Sequence, residues 1–359
     1  MTERVFVIAE AGVNHDGSRE KALALIDVAH QAGADAVKFQ TFSADRLVTK
    51  AAPTAAYQSV ATGNHESQFA LLRRLELSPD DHYALVDRCE RLRIIFLSSP
   101  FDIASLCFLA DELHVPRIKL GSGEVTNAPL LLAAAQTGLP IILSTGMATL
   151  DEVKAALGVL AFGYLDSDRE PGAARFADAY LQAQASELLA NKIVLLHCTT
   201  EYPAPIEDVN LNAMETMRKT FGVPVGYSDH TQGIAISIAA VAKGATVIEK
   251  HFTLDRSAPG PDHAASLEPE ELTEMIDGIR HVELAQGDGI KIARKSERAN
   301  LTVARKAIVA ARPIAAGETL SAENLTVKRA GVGIAPMRWW EVIGTAAHRA
   351  YASDEAIEL

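Results

Sequence analysis

The chain has 359 residues and a formal net charge of -12. This acidic balance disfavours nucleic acid or an anionic membrane as a partner, because the field of the whole molecule would repel both. Cys89, Cys107 and Cys198 are scattered and lack CxxC spacing, which argues against a disulfide framework or a structural zinc site. No apolar run reaches about 18 residues and no signal peptide is apparent, so we expect a soluble protein of a reducing cytoplasm.

Eight apolar, strand-like runs recur along the chain, and each ends in a short cluster of polar residues. In chain order the runs begin at Val5, Ala36, Ile94, Arg117, Ile141, Ile193, Val223 and Val247. Helical segments separate them, such as residues 19–31 after the capping residue Ser18. This alternation predicts parallel pairing with right-handed crossovers, and eight units predict a (β/α)8 TIM barrel. The loops after barrel strands carry the active site, so the polar clusters should converge on one rim.

A barrel needs only about 250 residues, so a C-terminal remainder must form something else. The stretch 286–298 is rich in charge and poor in large apolar residues, which is typical of a linker. From Thr302 onward, short β-like runs alternate with turn signals. We therefore expect a barrel domain over residues 1–286, a linker over 287–301 and a small β-rich domain over 302–359.

One connection on the predicted catalytic side is unusually long. It spans residues 42–77, and long loops in such positions are often functional. Tyr57, Gln58 and Asn64 within it are candidate lid or substrate-contact residues. A second long connection, 165–191, precedes a strand and is expected to lie on the opposite face.

Charged residues alternate with apolar ones along two of the predicted strands. Strand geometry puts Lys38 and Gln40 on one side of the second strand, and Glu249 and His251 on one side of the eighth. Any single buried charge of this kind could belong to an internal ion pair that fills the barrel. Because several strand ends carry such groups together, the pattern favours a functional site.

Hydroxyl groups and glycines follow the fourth and fifth strands. The segment Gly121–Glu124 lets backbone amides approach an anion and adds the Ser122 hydroxyl, with Lys119 just before it. Ser144–Gly146 repeats this pattern, and Ser228 adds another donor. Each segment alone could simply start a turn and cap a helix. Together with the lysines they predict a pocket for a small, multiply anionic ligand.

His230 and His251 follow neighbouring strands, the seventh and the eighth, so both imidazoles could reach one metal ion above the barrel. No third protein ligand is obvious, which leaves positions for water and substrate oxygens. Such a site suits catalytic Mn²⁺ or Mg²⁺ better than structural zinc. The alternative, in which each histidine only hydrogen-bonds the rim, stays open at this point. Cys198 after His197 is a conceivable nucleophile, but nothing nearby in the sequence marks a lowered thiol pKa.

Ordered motifs across nearly the whole chain resemble the sialic acid synthase family. They are Glu10–His15, Lys38–Thr41, Lys119–Glu124, Ser144–Met147, His197–Pro203, Gly226–His230, Glu249–Thr253 and Pro259–His263. The segment Val327–Ile334 resembles that family's C-terminal antifreeze-like (SAF) domain. The resemblance implies a transferase that condenses phosphoenolpyruvate with an open-chain N-acylated mannosamine-type sugar, releases phosphate, and needs a divalent metal, Mn²⁺ or Mg²⁺.

The resemblance also implies roles for individual residues. The metal would be held by His230 and His251. Phosphoenolpyruvate would be held by Lys38, Lys119, Ser122, Ser144, Thr200 and Ser228. The expected catalytic set, within which the general base stays open, is Glu10, Lys38, Lys119, Glu124 and Glu249. Sugar contacts would come from Gln40, Tyr202, Asp262 and Arg329.

Arg329 carries an implication for assembly. In the family the matching residue is supplied by the other subunit, so a domain-swapped homodimer is expected. The family's commoner Arg-Pro-Gly-Asn-Gly is here Arg329–Gly333, with Ala330 and Val332 in place of proline and asparagine. Losing the proline frees the loop, and losing the asparagine removes a polar side chain. We therefore expect this chain to differ from the family in the rigidity of this loop and in its recognition of the acyl group.

Three functions compete at this stage. The first is N-acetylneuraminate synthesis from N-acetylmannosamine, favoured by the segments Thr200–Pro203 and Ile334–Met337. The second is legionaminate or pseudaminate synthesis, in which the same chemistry acts on a diacetamido-trideoxyhexose. A non-catalytic sugar-binding module would have lost a metal or phosphate group, and each such group is present. A sugar 6-phosphate would need an extra basic cluster near Asp262, where the sequence offers only Arg256 and His263, so this substrate is disfavoured.

Overall fold

The computed structural model describes residues 4–50, 67–165 and 169–358. The chain divides into two units, Met1–Gly287 and Asp288–Leu359. Tyr57, Gln58 and Asn64, the candidate lid residues, lie outside the described residues. Within the described ranges, no helix combines the length and the apolar character needed to cross a membrane.

Eight parallel strands form the sheet of the first unit. They are β1 (Phe6–Gly12), β2 (Ala36–Thr41), β3 (Ile95–Pro100), β4 (Ile118–Leu120), β5 (Ile141–Ser144), β6 (Ile193–His197), β7 (Val225–Asp229) and β8 (Val247–His251). Their hydrogen-bonded order is β3-β2-β1-β8-β7-β6-β5-β4. β3 and β4 also lie side by side, so the sheet curls into a barrel. The predicted (β/α)8 architecture is confirmed.

Helices follow the strands along the first unit. They are α1 (Arg19–Gln31), α2 (Ala44–Leu47), α3 (Gln68–Leu75), α4 (Pro79–Leu92), α5 (Ile103–Cys107), α6 (Ala128–Gln136), α7 (Leu150–Tyr164), α8 (Ala173–Tyr180), α9 (Ala183–Lys192), α10 (Asn212–Phe221), α11 (Ala235–Ala242) and α12 (Pro269–Gln286). Side-chain caps explain where several of them begin. The Ser18 hydroxyl accepts a hydrogen bond from a first-turn amide of α1. Ser78 and Asp81 form a reciprocal capping box at the start of α4.

Side chains along each strand point alternately out of and into the barrel, which gives two separate apolar environments. Outward-facing residues pack against the helices in the main core. Inward-facing residues form a separate layer inside the barrel, made of Ile8, Ala36, Leu97, Ile142, Leu196 and Val247. Gly226 also faces this layer, and a Cβ atom there would lie 2.7 Å from Leu196 Cδ2. Two residues further along their strands, the same inward side becomes polar, so the barrel interior is an apolar plug beneath a polar layer.

The second unit has its own small core. β9 (Lys306–Ala310) and β10 (Leu325–Arg329) pair antiparallel, accompanied by the short helices α13 (Arg298–Ala304) and α14 (Trp339–Val342). Its buried residues are Ile308, Ala310, Ile314, Leu320, Leu325, Val342, Ala347, Tyr351 and Ile357. The predicted small β-rich domain is therefore present at the C-terminal end.

Candidate active site

A pocket of about 330 Å³ opens above the polar layer at the carboxyl ends of the strands. It gathers thirteen of the fifteen residues that the sequence analysis assigns to the site. They are Glu10, Lys38, Gln40, Lys119, Ser122, Ser144, Thr200, Tyr202, Ser228, His230, Glu249, His251 and Asp262. The barrel topology explains the gathering, because the carboxyl ends of all eight strands meet at one rim.

Four buried charges of alternating sign form the floor of this pocket. Lys38 Nζ lies 2.7 Å from Glu10 Oε2 and 3.7 Å from Glu249 Oε2. Lys119 Nζ lies 3.4 Å from Glu249 Oε1. Burying such charges is costly unless each is paired, and here each lysine faces at least one carboxylate. We call these four residues the charged floor.

Hydroxyl groups complete the charged floor. Lys38 Nζ donates to Ser99 Oγ at 3.1 Å, and Lys119 Nζ donates to Ser144 Oγ at 2.9 Å. Ser228 Oγ donates to Glu249 Oε1 at 2.8 Å. Ser99 was not among the site residues predicted from the sequence. The alternation of side chains along β3 could have indicated it, because Ser99 faces the same side of the strand as the inward residue Leu97, two positions before it.

The two carboxylates of the charged floor respond differently to burial. Burial raises the pKa of Glu10, and the attraction of Lys38 reverses this only in part. Burial acts on Glu249 in the same direction, but Lys119 and Lys38 together with the Ser228 hydroxyl hold its pKa below the usual value. Glu249 is therefore the ionised member, and Glu10 is the member that more readily holds a proton. Two ammonium groups against one ionised carboxylate and one that readily takes up a proton leave a floor suited to an anion.

The two histidines face each other beside the floor, with ring centroids 5.7 Å apart. His230 Nδ1 lies 2.6 Å from the Thr199 carbonyl oxygen, which can only accept, so Nδ1 carries the proton and Nε2 presents a lone pair. Among the described residues His251 Nδ1 has no hydrogen-bond partner; it is buried and lies 3.9 Å from Asp262 Oδ2. Burial lowers the pKa of both imidazoles. Both rings are therefore neutral at pH 7, the form that binds metals.

These two rings fit a metal ion that has few protein ligands. In the part of the chain that the structure describes, no group of three or more His, Cys, Asp and Glu side chains is arranged to hold a metal. The unpartnered nitrogen of His251 and the Nε2 lone pair of His230 nevertheless lie in one pocket. An ion held there would take its other ligands from water and substrate, which is usual for Mg²⁺ and Mn²⁺.

Aromatic and acidic groups adjoin the histidines. The Tyr202 ring lies over His230 with a centroid distance of 4.1 Å and meets the edge of His251 at 5.6 Å. Burial raises the pKa of Asp262 to about 6, so this carboxyl can exchange a proton near neutral pH. Gln40 is half-buried at the end of β2 and also lines the pocket.

Gly146 allows two hydroxyl groups to converge. Its backbone N–H donates to Ser122 Oγ at 2.9 Å. A Cβ atom at this position would collide with Thr200 Oγ1 and lie 2.8 Å from Ser122 Oγ. The sequence analysis included Gly146 in an anion-binding segment, and the close approach of these side chains supplies the physical reason for glycine.

Two predicted site residues are not among the pocket lining. Glu124 lies in the turn Ser122–Thr126, where its carboxylate accepts a hydrogen bond from Asn127 Nδ2 at 2.7 Å. Arg329 ends β10 in the second unit and is exposed. The roles of both residues stay predictions. Burial raises the pKa of the Cys198 thiol, which disfavours the thiolate that a cysteine nucleophile would need.

One side of the pocket is apolar, and the sequence analysis did not anticipate it. This apolar wall consists of Val13, Leu47, Val48, Leu71, Leu72, Leu75 and Phe101. Most of these residues come from α2 and α3 within the long connection after β2. The only signal in the sequence was the helical spacing of the α3 leucines, which does not reveal what those leucines contact.

Comparisons with known proteins agree with this arrangement. A model of the NeuB family matches residues 25–291, and a model of the SAF domain matches residues 305–358. The chain is 46% identical to N,N'-diacetyllegionaminic acid synthase of Campylobacter jejuni, over 99% of both chains. It is 43% identical to the synthase of the same name from Legionella pneumophila, over 95% of this chain and 89% of the relative.

A comparison with a solved structure supports the same family assignment. The N-acetylneuraminic acid (sialic acid) synthetase from Leptospira borgpetersenii superposes with a TM-score of 0.67 at 32% identity, and the match covers 83% of this chain and 90% of that one. The chain therefore belongs to the NeuB family, is an enzyme of its synthase type, and ends in a SAF domain.

Proposed function

We propose that this enzyme condenses phosphoenolpyruvate with a 2,4-diacetamido-trideoxyhexose to give N,N'-diacetyllegionaminic acid and inorganic phosphate. The observation that carries the proposal is the 46% and 43% identity to two synthases of that name. The sialic acid synthetase structure is 32% identical. The second of the functions weighed from the sequence therefore replaces the first, N-acetylneuraminate synthesis.

The apolar wall supports a deoxygenated sugar. A trideoxyhexose carries a methyl group where N-acetylmannosamine carries a hydroxymethyl group, and its second acetamido group adds another methyl. Such groups gain free energy against apolar side chains, whereas a hydroxyl buried there without a partner would cost about 1–3 kcal/mol. Leu72 and Phe101 are half-buried members of the wall and line the pocket, so they are suited to contact these methyl groups.

The charged floor is suited to phosphoenolpyruvate. Lys38 and Lys119 would bind its carboxylate and phosphate, with the hydroxyls of Ser122, Ser144 and Thr200 as further donors. Both lysines already have hydroxyl and carboxylate partners in the floor. They are therefore held in place before the ligand arrives, which lowers the entropy cost of binding.

The chemistry forms one carbon–carbon bond, and at carbon 2 it exchanges the carbon–oxygen bond to phosphate for one to water. Carbon 3 of phosphoenolpyruvate attacks the sugar aldehyde carbon, water adds to carbon 2, and phosphate leaves with the former enol oxygen. The attacking water loses two protons in all: one is balanced by the proton that the aldehyde oxygen gains, and the second, from the hydroxyl at carbon 2, leaves with the phosphate as the keto group forms. Glu10 and Asp262 are suited to these transfers because burial raises the pKa of both carboxyl groups.

His230 and His251 would hold the divalent metal, Mn²⁺ or Mg²⁺. When bound, such an ion supplies a Lewis acid for the sugar aldehyde oxygen. The protein's own contribution is orientation. The Thr199 carbonyl fixes the tautomer of His230, and the Tyr202 ring packs on the same imidazole.

We further propose that the functional unit is a domain-swapped homodimer in which Arg329 reaches the pocket of the other subunit. The second unit exposes several large apolar side chains, namely Val332, Met337 and Trp340. Large contiguous apolar patches often mark a surface that a partner covers, and we take these three side chains to form one. Arg329 ends β10 and precedes Val332 by three residues, so the covered surface would include the end of the strand that carries the arginine.

The test is to supply metal-stripped protein with phosphoenolpyruvate and Mn²⁺, and to offer the 2,4-diacetamido sugar and N-acetylmannosamine in separate reactions. Phosphate release and the product mass are measured in each. We expect metal-dependent phosphate release, and faster turnover of the diacetamido sugar. Faster turnover of N-acetylmannosamine would favour N-acetylneuraminate synthesis instead. No phosphate release with either sugar would overturn the proposal.

A further inference from the structure

A second buried ion pair lies behind the two histidines, on the helix side of the barrel wall. Asp229 Oδ2 and Lys250 Nζ are 3.1 Å apart, and both side chains are 0% exposed. The two residues are register partners on β7 and β8. Their predecessors, Ser228 and Glu249, face the pocket and bond each other there, so strand alternation turns the ion pair away from the pocket.

Hydrogen bonds of this ion pair hold the backbone on either side of His230 in place. Asp229 Oδ1 accepts from Thr231 N at 2.9 Å and from Thr231 Oγ1 at 2.8 Å. Asp229 Oδ2 also accepts from Ser237 Oγ on α11 at 2.6 Å. Lys250 Nζ donates to the Thr231 carbonyl oxygen. The residues on both sides of His230 are therefore anchored to each other, to β8 and to a helix.

Stability alone is a weak explanation for such a pair. Removing two charges from water costs several kcal/mol, and apolar residues of similar volume often serve a core as well or better. The position of the pair suggests another purpose. His230 directly follows Asp229, and His251 directly follows Lys250. One ion pair therefore fixes the two backbone points from which the imidazoles project.

We propose that the Asp229–Lys250 pair is a positioning element that sets the separation of His230 and His251 for a single divalent ion. This inference rests on the proposed metal site and is independent of which sugar the enzyme prefers. Positioning groups around metal ligands typically contribute about 10- to 100-fold to metal affinity. The pair does not contact the charged floor through any described hydrogen bond or ion pair, so metal-free binding of phosphoenolpyruvate should not depend on it.

The test compares wild type with the double variant Asp229→Asn, Lys250→Met, which removes both charges and keeps an oxygen acceptor for Thr231. The dissociation constant for Mn²⁺ is measured by electron paramagnetic resonance of the free ion, and that for phosphoenolpyruvate by calorimetry without metal. We expect Mn²⁺ to bind at least about tenfold more weakly, with phosphoenolpyruvate affinity within about twofold of wild type.

Leu189→Ala is the matched control for a general loss of stability. Leu189 is buried on α9 and does not line the pocket, and truncating a buried leucine costs about 2–5 kcal/mol. Its Mn²⁺ affinity should remain that of wild type. Should the double variant fail to fold, Lys250→Met alone, which leaves Asp229 its Thr231 and Ser237 donors, is measured by the same criteria.

Three results would overturn the inference. They are an unchanged Mn²⁺ affinity in a folded variant, an equal loss in Leu189→Ala, and the absence of Mn²⁺ binding to wild type. A wild-type protein that binds Mn²⁺ yet converts neither sugar would remove the proposed function and leave the positioning role intact.

Discussion

Lys119 illustrates how a single side chain serves both the fold and the proposed chemistry. Its ammonium group is buried between Glu249 and the Ser144 hydroxyl, so it neutralises part of the barrel interior. It also borders the pocket, where a ligand anion would find a donor whose position is already fixed. Burial lowers its pKa, and the Glu249 carboxylate limits this effect. The same contact that holds the lysine in place therefore helps it to keep its charge.

Replacing Lys119 by methionine should weaken phosphoenolpyruvate binding. A hydrogen bond to a charged group contributes about 1.5–3 kcal/mol, so we expect the dissociation constant to rise by about tenfold to a hundredfold. Calorimetric titration with phosphoenolpyruvate measures this. Lys219→Met, on the exposed face of α10, should bind as wild type does. Unchanged affinity in Lys119→Met would remove this lysine from the anion site.

Gly146 offers a test that changes no charge. Gly146→Ala places a methyl group against Thr200 Oγ1 and Ser122 Oγ, so these hydroxyls must move apart. We expect a higher KM for phosphoenolpyruvate with little change in the KM for the sugar. Gly172→Ala is the control, because a Cβ atom there meets no atom of the described residues within 4 Å. Equal effects of the two variants would show that the hydroxyls do not act together on the ligand.

At the scale of elements, helix caps connect the sequence to pH-dependent stability. Asp81 completes the capping box of α4 with Ser78 and also pairs with Arg19. Burial alone would raise the pKa of Asp81, but the Ser78 hydroxyl and backbone N–H and the Arg19 guanidinium lower it overall. Because the pKa is lower in the folded state, the carboxylate stabilises the fold above its unfolded pKa of about 3.9. That contribution disappears as the pH falls through the folded pKa.

Asp81→Asn should therefore be less stable than wild type at pH 7, by about 1 kcal/mol. The difference between the two proteins should shrink as the pH falls below about 4. Urea unfolding monitored by circular dichroism at several pH values measures it. Asp80→Asn, which changes the neighbouring first-turn carboxylate, should cost less at neutral pH. A difference for Asp81→Asn that stays constant down to pH 3 would contradict this account.

The strands, the helix starts and most of the pocket could be predicted from the sequence because they depend on local patterns. Strand parity identifies Lys38 and Glu249 as inward residues, and barrel topology brings inward residues of different strands together. The apolar wall could not be predicted in this way, because Leu72 and Phe101 belong to separate connections that pack against one small apolar cluster. The pKa difference between Glu10 and Glu249 likewise depends on which carboxylate lies between two lysines, and distances within the barrel decide that.

At the scale of the whole molecule, the proposed dimer makes each pocket depend on two chains. Arg329→Ala should raise the KM for the sugar and leave phosphoenolpyruvate affinity unchanged. Lys119→Met weakens phosphoenolpyruvate binding in the pocket of its own chain, so at a low phosphoenolpyruvate concentration that pocket contributes little activity. When the two variants are co-expressed, each mixed dimer contains one pocket with both wild-type residues. Random pairing therefore predicts recovery of about a quarter of wild-type activity.

If the co-expressed variants show only the average activity of the two separate proteins, the arginine is not supplied by the partner. Size-exclusion chromatography with light scattering provides the accompanying control, since the recovery requires a dimer. A double variant that carries both changes in one chain is a second control. Its dimers contain no pocket with both wild-type residues, so it should show no recovery of activity.

The central claim, that this NeuB-family enzyme acts on a diacetamido sugar, is tested most directly by competition. Equimolar 2,4-diacetamido sugar and N-acetylmannosamine are supplied together with limiting phosphoenolpyruvate and Mn²⁺, and the two products are quantified by mass. The ratio of products equals the ratio of kcat/KM values. Our account predicts an excess of the diacetamido product of at least about tenfold, the effect expected from about 1.4 kcal/mol of differential binding. An excess of the N-acetylneuraminate product would contradict it.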